Sequence, residues 1–346
     1  TMLKGEIPAS CRKCFREEKV GVVSKRIWET GTWHKDGVDI PELIRQTKED
    51  GTVPEELVYL DLRLGHTCNI KCVMCSPHDS SSWIKDWKRQ FPKYKNKMLI
   101  EDQGWNQKTD YTWYQKSSFL SSMKDQARYI KELYFAGGEP LLIPEHYNIL
   151  KFMVDEGFSS KCSLRYNSNG TTITDELLEL WNKFKSVKFN FSIDAIEEKN
   201  DYIRYPSKWS DLIKNLKILD ETPKHITVNI ACAVQALNVL SLDELVEWKL
   251  SQNFNKINPP EYGAGLIGLH LVYLPSYLNV RSLPITVKKI AAERIRSLVD
   301  KLSCTKFNED PYGKQRWLGL IDYMYKEDWS HKLPAMIEYL EITDKT

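Results

Sequence analysis

The sequence predicts an α/β fold: an open, partial (β/α)6 barrel of TIM-like plan, with a cysteine-containing amino-terminal extension and a helical carboxy-terminal tail. Two observations predict it. Six short segments alternate apolar and polar residues as strands do, and helical patterns separate them. Strands parted by helices form βα units and run parallel, and six are too few for a closed eight-stranded barrel. The expected divisions are 1–50, 51–280 and 281–346.

Residues 16–50 are polar with scattered apolar positions, the pattern of short helices and loops. Leu57 to Leu64 alternates as the first strand. Residues 85–130 change character: Lys85, Lys88, Arg89, Lys93, Lys95 and Lys97 form a basic run beside Trp83 and Trp87. That run reads as a solvated amphipathic helix, or else as a lid or docking patch for a peptide or nucleic acid. Ile130 to Ala136 is the second strand, and an amphipathic stretch follows from Glu145 to Glu156. Ser163 to Asn167 is the third strand, with Thr174 the expected N-cap of a helix through Phe184. Val187 to Ile193 is the fourth, followed by a helix from Lys208 to Leu219. His225 to Val234 is the fifth, after which Ser241 caps a helix to about Leu250. Leu266 to Leu274 is the sixth, Thr286 to Leu302 is helical, and the Trp- and Tyr-rich tail packs as further helices.

Composition bounds the function without naming it. The 346 residues are 42% hydrophobic and 28% charged, values of a soluble globular chain. No apolar run is long enough to span a membrane and no signal peptide opens the chain, so a cytoplasmic location is expected. A net charge of +2 gives no global argument for nucleic acid. The eight cysteines favour metal or catalysis over disulfides in such a chain. Cys162, Cys232 and Cys304 stand alone and read as small buried apolar residues.

Cys68, Cys72 and Cys75 are different, because all three fall in one short run after the first strand. Structural zinc takes four protein ligands and disulfides take pairs. Three thiolates instead suit a cubane [4Fe–4S] cluster that keeps one iron open for another ligand. His66, Lys71 and His78 flank the run and are expected to shape it by hydrogen bonding rather than to ligate iron. Further unusual residues follow at later strand ends: Gly137, Gly138 and Glu139 after the second, Asn167 to Thr171 after the third, and Ser192 to Asp194 closing the fourth. In parallel α/β folds reactive groups gather there. Taken singly, the glycines could be a plain turn, the Asn-rich stretch a loop, Asp194 a helix cap and Arg204 a surface residue.

In this order the motifs resemble the radical S-adenosylmethionine (SAM) superfamily over roughly residues 57–274. The resemblance implies a [4Fe–4S] cluster on Cys68, Cys72 and Cys75, with SAM chelating the open iron. It also implies reductive cleavage to a 5′-deoxyadenosyl radical that abstracts hydrogen from a substrate. By the same resemblance, the Gly137–Gly138 backbone and Glu139 take the methionine ammonium, Arg204 pairs with its carboxylate, and Asn169 and Ser192 contact the ribose. Asp194 joins the cofactor site, and Met74 packs beside the adenine where the family usually has an aromatic. A reductant such as flavodoxin or ferredoxin is implied as partner.

Cys11 and Cys14, followed by Glu18, Gly21, Ser24 and Arg26, form a second cluster. They could be a reduced pair or half of a zinc knuckle. Their spacing before the three-cysteine run resembles the radical SAM subset with a twitch or SPASM-like auxiliary-cluster module. That resemblance implies a second iron–sulfur cluster in a twitch-like segment over 1–50; its other ligands are expected either from cysteines upstream of a truncated start or from non-cysteine groups that complete a site on Cys11 and Cys14. It favours a peptide or protein side chain as substrate. A nucleoside or other small molecule is the alternative, and a metal-stabilised binding module without catalysis is the alternative from another class.

Overall fold

The computed structural model describes residues 4–19, 24–35, 37–101, 109–257, 266–303 and 313–345. The chain divides into two compact units, Thr1–Glu56 and Leu57–Thr346. Cys304 and Gly21 lie outside the described residues. Among the described residues no helix is long and apolar enough to cross a membrane.

The first unit is helical: α1 (Arg12–Lys19), α2 (Lys25–Lys35) and α3 (Ile40–Gln46). Asp39 caps α3 by accepting the Glu42 N–H at 2.9 Å, satisfying a donor that the first turn leaves free. Glu18 on α1 binds Arg26 on α2 through both carboxylate oxygens, at 3.0 and 2.6 Å, and also accepts the Ser24 hydroxyl at 2.5 Å. Cys11 and Cys14 are free and half-buried at the start of α1.

The second unit is built on six strands: β1 (Tyr59–Arg63), β2 (Glu132–Ala136), β3 (Ser163–Ser168), β4 (Ser186–Ser192), β5 (Ile226–Val234) and β6 (Gly268–Leu271). They pair in sequence order and every pair is parallel, so the sheet is an open α/β half-barrel with β1 and β6 at its edges. All six predicted strands are present. Its helices are α4 (Trp83–Gln90), α5 (Lys97–Glu101), α6 (Ser117–Gln126), α7 (Pro144–Asp155), α8 (Asp175–Trp181), α9 (Glu197–Ile203), α10 (Trp209–Asp220) and α11 (Leu242–Ser251). The carboxy-terminal region adds α12 (Ile285–Leu302), α13 (Gly313–Lys326) and α14 (Leu333–Asp344).

Alternation along each strand gives the sheet two unlike faces. Leu133, Phe135, Leu164, Tyr166, Val187, Phe189 and Phe191 are fully buried and pack with apolar residues of the surrounding helices. The opposite face is polar. Asn229 donates to Asn190 at 3.4 Å, Asn190 to Asn167 at 2.8 Å, and Asn167 to the Tyr134 hydroxyl at 2.7 Å, an amide ladder crossing four strands.

Two local expectations need correction. The Thr174 cap is present, its hydroxyl accepting from Leu177 N, but α8 ends at Trp181 rather than Phe184. Ser241 stands before α11 without capping it, because its hydroxyl donates instead to the Asn238 carbonyl. The amphipathic expectation for α4 holds: Trp83 and Trp87 are only 3% and 4% exposed and anchor it to the core, while its cations stand in solvent.

Candidate functional site

Because every strand runs the same way, the loops leaving β1, β2, β3 and β4 meet at one end of the sheet. The β1 loop carries the three cysteines and is held by a dense set of donors. Ser82 Oγ donates to the Cys68 carbonyl at 2.7 Å, Trp83 Nε1 to the Cys72 carbonyl at 3.0 Å, and Ser80 Oγ to the Ile70 carbonyl at 2.6 Å. The Cys68 N–H donates to Ser81 Oγ, and the Tyr339 hydroxyl donates to the Val73 carbonyl at 2.9 Å. Lys71 pairs with Asp86 on α4 at 2.5 Å. His66 stacks on Tyr111 at 3.7 Å and hydrogen-bonds the Pro77 carbonyl, while His78 hydrogen-bonds the Tyr111 hydroxyl. Both histidines therefore shape the loop by hydrogen bonding, as expected.

The Gly137–Gly138 turn lies directly against this loop. Gly138 N donates to Gly65 O at 3.3 Å and Glu139 N to Thr67 O at 2.7 Å. Gly137 has φ +113°, which side chains rarely adopt. A Cβ on Gly138 would stand 2.3 Å from Thr67 O, so only glycine lets the two backbones approach this closely. Glu139 is buried and ties β2 to β3: Oε1 accepts from Leu141 N and Ser168 Oγ, and Oε2 from Asn169 N at 2.7 Å. Burial pushes its carboxyl up to about 7, against the pull of those donors.

Two side chains, one from the end of β3 and one from the end of α9, reach the sulfurs. Asn169 Nδ2 lies 3.8 Å from Cys68 Sγ and also donates to Asn69 Oδ1, while Arg204 Nη1 lies 3.7 Å from Cys72 Sγ. Asp194 faces Arg204 with an Nε–Oδ2 separation of 2.8 Å; both are buried, and the contact is ionic rather than a well-aligned hydrogen bond. Asp194 does not cap α9, whose N-cap position is Ile196. Its other oxygen accepts the Ala233 N–H at 2.6 Å, joining β4 to β5. Ser192 is half-buried at the end of β4, and Met74 is half-buried against the hydrophobic core.

The donor set fits an iron–sulfur cluster. It offers three soft sulfur ligands, with N–H groups of Asn169 and Arg204 directed at two of them, and such hydrogen bonds tune cluster sulfurs. Burial raises the Cys68 thiol to about 11. Cys72 ionises more readily, because Cys75 hydrogen-bonds it and Arg204 lies beside it. Among the described residues no three His, Cys, Asp or Glu side chains converge as ligands of a single ion, and this includes Cys11 and Cys14.

Sequence reasoning did not single out Ser80, Ser81, Ser82, Tyr111 or Tyr339. Three hydroxyls and an indole N–H in a row, Ser80 to Trp83, were the available signal for the first group. Tyr339 lies 266 residues from Val73, so no local pattern announces it.

A parallel half-barrel with a three-cysteine loop and a glycine turn interlocked at its strand ends defines an α/β protein whose thiols gather at the carboxyl ends of its strands. The family model for the radical SAM superfamily matches residues 62–246, more than half of the chain, and the chain belongs to that superfamily. No curated protein matches it. Among solved structures, native anSMEcpe with bound AdoMet and the Cp18Cys peptide is similar at 15% identity and TM-score 0.47, covering 73% of this chain and 61% of that one. Streptococcus suis SuiB bound to its precursor peptide SuiA is similar at 18% identity and TM-score 0.38, over 63% and 42% of the two chains. TYW1 with a lysine-pyruvate adduct bound gives 14% identity and TM-score 0.33, over 81% and 89%. The chain thus spans about three fifths of the length of anSMEcpe and less of SuiB.

Proposed function

We propose that this protein is a radical SAM enzyme in which Cys68, Cys72 and Cys75 hold a [4Fe–4S] cluster and the facing strand ends hold SAM. The observation that carries the reading is the approach of Asn169 and Arg204 to two of the three sulfurs, opposite a turn closed to any side chain. When bound, cluster and SAM supply reductive cleavage of the sulfonium and a 5′-deoxyadenosyl radical that takes hydrogen from substrate. The chain's own part is to bind and orient. The Gly137 and Gly138 carbonyls, with the Glu139 charge behind them, suit an ammonium group. Arg204 suits the methionine carboxylate, since a guanidinium presents two parallel donors. Asn169 and Ser192 suit ribose hydroxyls, Asp194 orients Arg204, and Met74 offers an apolar surface for adenine.

The substrate in this reading is a peptide or protein side chain. The amide ladder of Asn167, Asn190 and Asn229 supports it, because amides left with spare donors and acceptors match those of a peptide backbone. Cys11 and Cys14 belong to a second, auxiliary cluster, and a flavodoxin or ferredoxin supplies the electron.

Anaerobic reconstitution, reduction with dithionite and assay of 5′-deoxyadenosine test the central claim. Product is expected from the wild-type chain and none from Cys68→Ala. An intact cluster that never cleaves SAM would leave a structural metal module instead. Iron analysis separates one cluster, about four irons per chain, from two, about eight.

A further inference from the structure

The loop of three cysteines is gripped from two sides by different elements. Its sulfurs face Asn169 and Arg204, whereas its carbonyls face the start of α4 through Ser82 and Trp83. The outward side of that same helix and the turn after it carry the densest charge in the chain. Residues 85–97 hold six cations and one acid, a net +5 in a chain whose total is +2. All six cations are exposed, and the acid, Asp86, is turned toward Lys71 and Arg89. Lys85, Lys88, Lys93, Lys95 and Lys97 make no ion pair among the described residues. Amid them Phe91 is 38% exposed, an aromatic within a basic rim, which is the anatomy of a docking patch. Behind Phe91 aromatic rings run inward: Trp87 at 5.6 Å, then Tyr94 at 5.8 Å, then Tyr339 at 6.4 Å, whose hydroxyl bonds Val73, the neighbour of Cys72.

We propose that this face of α4 and its following turn is the docking surface for an acidic one-electron donor protein of the flavodoxin or ferredoxin type. The proposal rests on the radical SAM reading above. The donor is oxidised by one electron and the cluster held by Cys68, Cys72 and Cys75 is reduced by that electron; no atom or proton is transferred. Two physical requirements converge here. The donor must sit close to the cluster without covering SAM, and α4 touches the loop on its carbonyl side. Along the helix Lys85 and Lys88 lie only about 3 and 8 Å beyond Trp83, at 1.5 Å rise per residue. An electropositive surface steers an acidic partner and sets its approach. Nucleic acid is the less suited occupant: of the four aromatics on α4 and its turn, Trp83, Trp87 and Tyr94 are buried, leaving Phe91 alone for base stacking.

Binding and turnover of the triple variant Lys85→Glu, Lys88→Glu, Lys93→Glu test this. The changes touch only exposed side chains, and circular dichroism checks the fold. Flavodoxin titrated onto the full-length protein at low ionic strength should bind about tenfold or more weaker to the variant. Wild-type affinity should fall with added salt while the variant's stays nearly flat. With flavodoxin and its reductase, 5′-deoxyadenosine formation at limiting donor should drop by a similar factor, while the dithionite-driven rate stays within about twofold. Unchanged flavodoxin affinity with normal dithionite turnover overturns the docking proposal alone. So does loss of binding to an RNA oligonucleotide with flavodoxin affinity intact. A wild-type protein that makes no 5′-deoxyadenosine with dithionite overturns the radical SAM reading, and the proposal with it.

Discussion

Replacing Gly138 by alanine probes the interlock between the glycine turn and the cysteine loop. The added Cβ would meet Thr67 O at 2.3 Å, His66 C at 2.6 Å and His66 O at 2.8 Å, all of them backbone atoms that cannot swing aside. Ordinary contact begins near 3.4 Å, so the loop must retreat by about 1 Å. Retreat breaks the bonds from Gly138 N to Gly65 O and from Glu139 N to Thr67 O, worth about 1 kcal/mol each. With the strain of overpacking, the loss of stability should be about 2 to 4 kcal/mol. The catalytic effect should be larger, because a displacement of about 1 Å between reacting groups can lower a rate about 100-fold. Gly319→Ala is the matched control. It lies on the exposed face of α13 with nothing within 4 Å of its added Cβ, so alanine there should stabilise by about 1 kcal/mol. Chemical denaturation, iron content and 5′-deoxyadenosine rate are measured on all three proteins. A Gly138→Ala protein with wild-type stability and rate would refute the claim that the close approach positions the loop.

Arg204→Met should destabilise by about 3 to 5 kcal/mol, since it strands the Asp194 charge in the interior. Adding Asp194→Asn should recover part of that loss, and a double-mutant cycle by urea denaturation reads it. His146 is buried against the Tyr166 hydroxyl at 2.9 Å, and burial depresses its imidazole to about 3. The unfolded chain then binds the proton more tightly, so stability is lost as pH falls below about 6.5. The loss by pH 4.5 is about 3 kcal/mol. His146→Phe should flatten that slope in denaturation curves taken from pH 7 to 4.5. Glu139 has the opposite sign: raised to about 7, it favours folding below about 4.5 and loses that contribution as pH rises through 7, by about 3 kcal/mol. Glu139→Gln should remove this pH dependence while costing about 1 to 3 kcal/mol, because an amide nitrogen cannot accept the Asn169 N–H. A Glu139→Gln protein that keeps the wild-type slope would assign the titration elsewhere.

The six strands were legible because each is short, alternating and bounded by turn residues, and a parallel sheet exposes only one face of each to the core. Thr174 was legible as a cap because capping is decided within four residues. Ser241 has the same chemistry and misleads, since the Asn238 carbonyl competes for its hydroxyl. The three cysteines and the glycine turn were legible as local strings. That Asp194 faces Arg204 was not, because α9 intervenes and only its length brings the two side chains together. The amphipathic character of α4 was legible for a local reason, its tryptophans and cations recurring at helical spacing, and the structure sets both indoles inward.

The separate holds on the cysteine loop have a consequence for how mutations there must be read. Changes on the sulfur side, at Arg204 or Asn169, alter the electrostatics of Cys72 and Cys68 directly. Changes at Ser82 or Trp83 release the Cys68 or Cys72 carbonyl, and the sulfurs move only as the backbone relaxes. The freed Cys72 carbonyl is a buried acceptor costing about 1 to 3 kcal/mol and the part-buried Cys68 carbonyl costs less, so such variants should lose stability first. The cations of α4 lie beyond both holds and touch neither sulfur nor carbonyl. A defect there that appears only with a protein donor is therefore a defect of delivery, and one that also appears with dithionite must have travelled through the helix into the loop.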